Sequence, residues 1–284
     1  MTFEQQRALL HSVDCIYRYA SEAEKKAQEA VIRIQHAIHV YGSDSVALAC
    51  SFGKDSMLVL YLARKVCPDI NVVWCDTKCE NERTYKFQSE ITKKWNLNLH
   101  IARAPSGVNF WSIAKEHGLP GIRGYGTNRV PACCQILKDG PAEEVYKKLG
   151  TKCVITGITA EESHQRFMLA KRNENKAQAA GISCDDPSGE GCGALYYGKT
   201  KDRWTLNPIV WMTEEEIWQC HKIFDIPHCG VYDLCKGARV GCDPCTAYKS
   251  WMDRMPIQAP KTFKRVRSMM GIVNLDDFKG GGQS

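Results

Sequence analysis

Short apolar runs alternate with amphipathic stretches along the chain, and this alternation limits the folds that are open to it. Four runs are typical of buried strands: VALAC (46–50), INVVWCDT (70–77), LNLHIARA (97–104) and CVITGIT (153–159). Helical stretches such as MLVLYLARKV (57–66) and NERTYKFQSEITKKW (81–95) separate them. Strands buried on both faces that alternate with helices are characteristic of a parallel sheet covered by helices. The pattern therefore predicts an α/β fold with a doubly wound parallel sheet.

Composition divides the chain into three segments. Residues 1–42 have apolar side chains at helical spacing and predict an N-terminal helical segment. Residues 43–228 hold the strand and helix units and predict an α/β domain. Residues 229–284 combine cysteines, glycines and basic side chains, so we expect a Cys-rich, basic C-terminal segment there.

Fifteen cysteines in 284 residues are the unusual feature of the composition. An odd number cannot pair completely, and the N-terminal stretch MTFEQQRALL lacks the apolar core of a secretory signal. We therefore expect a cytoplasmic protein whose thiols serve metal or sulfur chemistry. No apolar run approaches the ~18 residues of a membrane helix, so we expect no membrane partner. The formal net charge of +6 is compatible with an anionic partner but does not require one.

The polar segment SFGKDS (51–56) lies between a predicted buried strand and a predicted helix. Gly53 lets the backbone approach an anion, and the helix N-terminus supplies free N–H groups and the positive end of the helix dipole. Polar side chains fill other positions of the segment: Ser51, Lys54, Asp55 and Ser56. Asp55 is a candidate ligand for Mg²⁺ on bound phosphates. The alternative interpretation is a tight strand-to-helix turn made of small polar residues.

The segment SFGKDS resembles the PP-loop of the adenine nucleotide α-hydrolase superfamily, whose members cleave ATP between its α- and β-phosphates. Further stretches resemble the PAPS/APS (phosphoadenosine or adenosine phosphosulfate) reductase family of that superfamily. They are WCDTKCENERTYKF, PACCQILKDGP, GITAEESHQR and NPIVWMTEEEIW with IPHCGVYD. The resemblance covers roughly residues 45–250. It implies a Rossmann-like, adenine nucleotide α-hydrolase-like fold.

The resemblance also implies roles for individual residues. Lys54, Asp55 and Ser56 would be catalytic. The implied nucleotide-binding residues are Ser51, Phe52, Gly53, Asp76, Thr77, Gly157, Glu161, Glu162, Ser163 and Arg166. The pattern departs from the family at Thr159, where the reductases usually have an arginine, and this departure bears on any sulfate or phosphate contact there.

Five cysteines have the spacing of metal ligands. Cys133 and Cys134 form a tandem pair, and Cys242 and Cys245 form a C-x-x-C element with Cys235 upstream. Thiolates spaced in this way bind zinc or a four-iron cluster.

The tandem pair with the C-x-x-C element resembles the [4Fe–4S] signature of APS reductases. The C-x6-C-x2-C spacing resembles the cluster segment of ATP pyrophosphatases of DNA phosphorothioation systems. We expect Cys134, Cys242 and Cys245 to hold a [4Fe–4S] cluster. The fourth ligand is Cys133 or Cys235, and zinc is the alternative metal.

Basic side chains are concentrated near the C-terminus. They are Lys249, Arg254, Lys261, Lys264, Arg265 and Arg267, and Trp251 and Phe263 lie among them. A basic face can contact nucleic-acid phosphates. A solvated helix surface around two core aromatic side chains explains the pattern at least as well. A stripe of cations along one face would favour the first interpretation.

Two features separate reduction of sulfate from activation by ATP. Reductases of this family use a cysteine in a C-terminal element of Glu-Cys-Gly-Leu-His type, and this sequence has no cysteine after Cys245. Reductases also usually relax the Lys-Asp-Ser half of the phosphate loop, which is intact here at residues 54–56. Lysine and Mg²⁺ balance the charge that develops on departing pyrophosphate. We therefore predict an ATP pyrophosphatase that forms an adenylate and activates a substrate for sulfur incorporation.

DNA phosphorothioation is the most specific candidate pathway, and tRNA thiolation is a less specific one. The hypothesis implies ATP, a sulfur donor such as a cysteine desulfurase and, for phosphorothioation, DNA within a multiprotein complex. One alternative is an APS/PAPS reductase that reduces adenylyl sulfate to sulfite. Another is a non-catalytic nucleotide-binding subunit of a sulfur-transfer complex.

Overall fold

The computed structural model describes residues 21–121, 131–248 and 250–271. The helices are α1 (Glu22–Tyr41), α2 (Lys54–Val66), α3 (Glu82–Lys94), α4 (Phe110–His117), α5 (Ala132–Cys134), α6 (Gly140–Lys148), α7 (His164–Ala179), α8 (Glu214–Ile223), α9 (Trp251–Gln258) and α10 (Pro260–Met269). A 3-10 turn spans Ser43–Ser45, and a π-helical turn spans Gln135–Asp139. Among these helices of the described residues, none combines the length and the apolar character that crossing a bilayer requires.

Six strands form one sheet. They are β1 (Val46–Ala49), β2 (Asn71–Cys75), β3 (Leu99–Ala102), β4 (Cys153–Thr156), β5 (Leu195–Gly198) and β6 (Arg203–Leu206), and their order is β3-β2-β1-β4-β6-β5. β4 pairs in parallel with β1 on one side and with β6 on the other. β5 is antiparallel to β6 because a short connection joins them as a hairpin. The predicted α/β fold with a mostly parallel sheet is confirmed.

The chain divides into two compact units. The first unit consists of Met1–Cys50, Lys54–Val72 and Lys148–Pro227. The second unit consists of Ser51–Gly53, Val73–Lys147 and His228–Ser284. The predicted segment boundaries after residues 42 and 228 stay predictions.

Small side chains bring α1 close to its neighbours in the first unit. A capping box begins the helix, because the Ser21 hydroxyl accepts from the Glu24 N–H and the Glu24 carboxylate accepts from the Ser21 N–H. One face is buried and consists of Ala23, Ala27, Ala30, Ile34 and Ala37. α1 packs against α2 and α8 through this region of the unit. The structure thus has the predicted N-terminal helix at Glu22–Tyr41, while residues 1–20 lie outside the described residues.

A separate apolar core holds the helices of the second unit together. Its buried residues are Phe110, Ile113, Ala114, Leu119, Cys133, Leu137, Trp251, Met255, Ala259 and Val266. They come from α4, the α5 region, α9 and α10, which are distant in sequence. Burial of these side chains stabilises the unit and places the tandem cysteines on a packed support.

Candidate functional site

The phosphate loop leaves β1 through a turn that a buried aromatic ring anchors. Phe52 has a left-handed backbone (φ +59°), and its fully buried ring packs edge-on against Trp74 at a centroid distance of 6.1 Å. A Cβ atom on Gly53 would lie 3.2 Å from the Tyr232 hydroxyl oxygen and 3.3 Å from Ser51 Oγ. Because neighbours crowd this backbone, glycine is the residue that fits here without displacing them. Ser51 is exposed at the start of the turn.

Lys54 begins α2, three residues earlier than the sequence predicted, because the second half of SFGKDS forms the first helical turn. Its Nζ lies 2.9 Å from Asp55 Oδ1 and 3.6 Å from Glu214 Oε1. The lysine side chain is largely buried, at 11% exposure, and Glu214 is 66% exposed. The predicted catalytic pair is therefore in contact, and α8 adds a second carboxylate that the sequence analysis missed.

Gly157 lies against the first turn of α2. A Cβ atom at this position would lie 2.7 Å from the Ser56 backbone nitrogen and 2.8 Å from the Asp55 carbonyl carbon. Ser56 is buried, and its hydroxyl oxygen lies 3.7 Å from the Cys50 thiol, which donates to it. Only glycine fits such an approach of two backbones. The turn after β4 and the phosphate-loop helix therefore support each other directly.

The remaining predicted residues after β4 have local partners. The Glu161 carboxylate accepts from the Glu214 N–H at the start of α8, and Ser163 caps α7 by accepting from the Arg166 N–H at 3.3 Å. Glu162 and Arg166 form an ion pair one turn apart. Thr159 is buried. These residues shape the turn after β4, and their contact with a nucleotide stays a prediction.

Asp76 follows β2 and is 6% exposed. Its Oδ2 accepts from Arg103 Nε at 2.8 Å, and its Oδ1 accepts from the Tyr85 hydroxyl at 2.8 Å and from the Lys78 N–H at 3.0 Å. Burial alone would raise the pKa of Asp76, but these hydrogen bonds outweigh it and hold the pKa below its ordinary value. Asp76 therefore orients Arg103, whose side chain is 53% exposed.

Thr77 connects the end of β2 with the C-x-x-C element. Its Oγ1 lies 3.2 Å from Cys242 Sγ and donates to Glu80 Oε1 at 3.2 Å. An isolated β-bridge joins the backbones of Glu80 and Cys242. Thr77, predicted to bind nucleotide, is buried in this arrangement and supports the cysteine segment.

Four of the predicted metal-ligand cysteines interact with one another within the second unit. The charge of Cys133 is influenced by Cys242 and Cys245, and that of Cys245 by Cys134. The Cys133–Cys134 hydrogen bond lowers the pKa of Cys133 and raises that of Cys134. The choice between Cys133 and Cys235 as the fourth ligand stays a prediction.

The donor chemistry of these cysteines fits a thiolate-bound metal, although the side chains do not form a ready-made site. Within residues 21–121, 131–248 and 250–271, no group of three or more His, Cys, Asp or Glu side chains could hold a metal ion as arranged. None of the fourteen described cysteines forms a disulfide. The four cysteines nevertheless belong to one unit, and burial raises the pKa of Cys242 to about 12. A metal or cluster cation would offset the cost of ionising such buried thiols.

Lys138 supplies a positive charge beside these cysteines, and the sequence analysis missed it. Burial alone would lower the pKa of its ammonium group, but Cys242, Glu80 and Cys134 outweigh burial and raise the pKa. Burial raises the pKa of Glu80. Lys138 lies four residues after Cys134, one helical turn along the chain, and this spacing is the signal that could have identified it.

The predicted basic face is present only in part. Lys261, Lys264 and Arg265 are exposed on α10, whereas Val266 of the same helix is fully buried. The Arg265 guanidinium lies 4.0 Å from the centroid of the Trp111 ring. Arg254 is 2% exposed, so its place on a basic face was a wrong prediction: its long side chain packs inward and donates to Gln258 Oε1 at 3.3 Å. Lys249 lies outside the described residues.

Comparison with known proteins finds similarity to reductases of adenylyl sulfates, both in sequence and in fold. An adenosine 5'-phosphosulfate reductase from Staphylococcus haemolyticus is 25% identical over 214 residues, 75% of this chain and 75% of that protein. An uncharacterized protein from Methanocaldococcus jannaschii is also 25% identical, over 237 residues, and the match spans 82% of this chain but only 50% of that relative. Among solved structures, the phosphate complex of phosphoadenylyl-sulfate reductase from Candida auris superposes with a TM-score of 0.50. That similarity covers 72% of this chain and 84% of the other at 16% identity, and it shows a shared fold.

The strongest comparison is with a family profile. The profile of the phosphoadenosine phosphosulfate reductase domain matches residues 45–248, which include the phosphate loop, the turn after β4 and the C-x-x-C element. The fold, with its helix-covered and mostly parallel sheet, agrees with this match. The chain belongs to the phosphoadenosine phosphosulfate reductase domain family.

Proposed function

We propose that this protein is an ATP pyrophosphatase that activates an acceptor oxygen for the incorporation of sulfur. The observation that carries the proposal is the first turn of α2. Lys54, Asp55 and Ser56 are all present there, and Lys54 Nζ lies 2.9 Å from Asp55. A lysine and a carboxylate at a helix N-terminus suit a polyphosphate with its cation better than a lone sulfate or phosphate ester.

In the proposed reaction, an acceptor oxygen attacks the α-phosphorus of ATP. The bond from that phosphorus to the bridging oxygen of the β-phosphate breaks, and pyrophosphate departs with the electron pair. Lys54 offsets the charge on the departing group, and the free N–H groups at the start of α2 hold phosphate oxygens. Mg²⁺, for which Asp55 is the proposed ligand, supplies further charge neutralisation. The adenylated oxygen is then a leaving group that a sulfur nucleophile displaces, with release of AMP.

The cysteines suggest where sulfur chemistry would take place. We assign Cys133, Cys134, Cys242 and Cys245 as the ligands of a [4Fe–4S] cluster, with zinc as the alternative metal. Lys138 would lower the cost of collecting negative charge on these four thiolates. DNA phosphorothioation, with a cysteine desulfurase as sulfur donor, is the pathway that this combination suits best. A bound cluster would supply a redox or sulfur-binding centre.

The test is release of pyrophosphate from Mg-ATP by anaerobically prepared protein, with candidate partners and DNA present. We expect Lys54→Met and Asp55→Asn to reduce the rate by ~10²–10³, the usual effect of removing one group that stabilises a transition state. Lys65→Met is the matched control, because Lys65 lies on the same helix and is exposed at its other end. If the wild-type protein releases no pyrophosphate under any of these conditions, the proposal is wrong.

A second candidate function is reduction of adenylyl sulfate to sulfite. The family match favours it, as do relatives that carry the name reductase. Thioredoxin-dependent release of sulfite from APS or PAPS would establish it, and Lys54→Met should then have a small effect because these substrates have no β,γ-pyrophosphate. Tight ATP binding without turnover of any substrate would instead indicate a non-catalytic subunit.

A further inference from the structure

His221 lies beneath the first turn of α2 and is held by two backbone carbonyl groups. It belongs to α8 and is 4% exposed. Its Nε2 is 2.8 Å from the carbonyl oxygen of Lys54, and its Nδ1 is 3.1 Å from the carbonyl oxygen of Ile226. The Trp218 ring lies beside it at a centroid distance of 5.2 Å. Both ring nitrogens therefore face hydrogen-bond acceptors.

Two carbonyl partners determine the protonation state that satisfies the ring. A carbonyl oxygen accepts hydrogen bonds and cannot donate them, and a neutral imidazole carries only one N–H. In either neutral tautomer, one of the two short contacts would join two lone pairs. The imidazolium form donates to both carbonyls at once. Hydrogen bonds from a charged donor are stronger than neutral ones, and they offset part of the cost of burying the charge.

The charges around the first turn of α2 indicate what a protonated His221 would do there: it would offset an excess of negative charge. Lys54 carries one positive charge and is paired with two carboxylates, Asp55 at 2.9 Å and Glu214 at 3.6 Å. These three charged side chains sum to −1, which opposes the binding of a polyphosphate. A protonated His221 brings the sum to zero and adds positive potential at a helix N-terminus, where an anion is already favoured.

We propose that His221 is a positioning residue that holds the phosphate-loop helix as an imidazolium and couples phosphate binding to its own protonation. The inference rests on the part of the proposed function that makes this turn an anion site, and it does not depend on ATP cleavage. Binding of an anion raises the proton affinity of His221, and protonation of His221 raises the affinity for the anion by the same factor.

The first test measures the dissociation constant of inorganic pyrophosphate as a function of pH for the wild type and His221→Gln. At each pH, the ratio of the two dissociation constants cancels the effect of the titration of pyrophosphate itself. We expect the variant to bind at least ~5-fold more weakly at about pH 6, with the ratio falling as pH rises through the range of histidine titration. The control is His39→Gln, because His39 is exposed on α1; it should match the wild type. A ratio that does not change with pH overturns the proposal.

The second test measures the wild-type protein directly and uses a variant only to assign one resonance. Nitrogen-15 NMR separates an imidazolium, in which both ring nitrogens carry protons, from the neutral tautomers. Added pyrophosphate should increase the protonated fraction of one buried histidine, and His221→Gln identifies its resonance. A His221 that stays a neutral tautomer with and without pyrophosphate contradicts the inference. Coupled proton and pyrophosphate binding without ATP cleavage would leave this inference standing and remove the proposed function, so the two can fail separately.

Discussion

At the scale of single residues, the predicted site residues fall into two groups that differ in the partners of their side chains. Lys54 and Asp55 contact each other at the start of a helix, and their phosphate-binding role stays a prediction. Asp76 and Ser163 instead form hydrogen bonds within the protein. Asp76 accepts from Arg103, and Ser163 accepts from a backbone N–H at the start of α7. A sequence motif predicts the position of a residue but not the partners of its side chain, because those partners come from other parts of the chain.

Gly157 should tolerate no side chain. In Gly157→Ala the new Cβ atom would lie 2.7 Å from the Ser56 backbone nitrogen, so one of two packed backbones must move. We expect a loss of about 1–3 kcal/mol in the free energy of unfolding, the usual cost of overpacking, together with weaker binding of pyrophosphate. Urea unfolding and a binding titration measure the two effects. Gly198→Ala is the control, because its Cβ atom would make an ordinary contact at 3.5 Å; an equal loss there would contradict the explanation.

Asp76 should stabilise the fold only while it is ionised. Its pKa in the folded protein lies below the ordinary value near 3.9 of an unfolded chain. The stabilisation is therefore complete above the unfolded value and is lost as pH falls through the folded one. We expect Asp76→Asn to lower the free energy of unfolding by about 1–3 kcal/mol at neutral pH, with the difference shrinking below about pH 4. The free energy of unfolding of both proteins, measured across this pH range, tests whether the difference shrinks as pH falls. The exposed Asp185 offers the control Asp185→Asn, which should show no comparable trend.

At the scale of elements, helix starts follow from local sequence more directly than functional faces do. Thr213 and Glu216 form a capping box at the start of α8, and both partners lie within one turn of the chain. The basic face near the C-terminus could not be predicted in the same way. Arg254 belongs to the core and Lys264 to the surface, because neighbouring helices decide which side of α9 and α10 is covered.

The exposed cations of α10 should contribute to any binding of DNA. Lys261, Lys264 and Arg265 are exposed on α10, and no ion pair is formed by them within the part of the chain that the structure describes. We expect the double variant Lys261→Glu/Lys264→Glu to bind a DNA duplex more weakly, with the logarithmic salt dependence reduced by about 2. Fluorescence anisotropy at several salt concentrations measures this slope.

The matched control for α10 reverses the same number of charges elsewhere. Lys93 and Lys94 are exposed at the end of α3 in the same unit. If Lys93→Glu/Lys94→Glu weakens binding as much as the α10 variant, the effect reflects net charge and not a specific face.

At the scale of the whole molecule, the fold places in one unit cysteines that are more than a hundred positions apart in sequence. Cys133 and Cys134 lie in the helical region before α6, and Cys242 and Cys245 follow α8, yet all four belong to the second unit. A shared apolar core holds α4 and the α5 region with α9 and α10. The candidate metal site therefore depends on the packing of this unit and not on any one motif.

Iron content should distinguish the two candidates for the fourth ligand. Cys133 interacts with Cys242 and Cys245, and this interaction is the reason for proposing it over Cys235. We expect Cys133→Ala to lose most of the iron and sulfide of anaerobically purified protein, and Cys235→Ala to retain them. Iron, sulfide and zinc analysis of both variants and the wild type decides the point. Retention by Cys133→Ala with loss by Cys235→Ala would reverse the assignment.

The sequence by itself determined the α/β class, the family and the position of the phosphate loop. These depend on local patterns: apolar runs of strand length, amphipathic helical stretches, and a glycine-containing polar turn between a strand and a helix. Only the tertiary structure decided that Glu214 and His221 meet Lys54, and that Lys138 and Cys133 interact with the C-x-x-C element. Those contacts join residues distant in the chain. Their distances and charges exist only after packing has chosen which surfaces face each other.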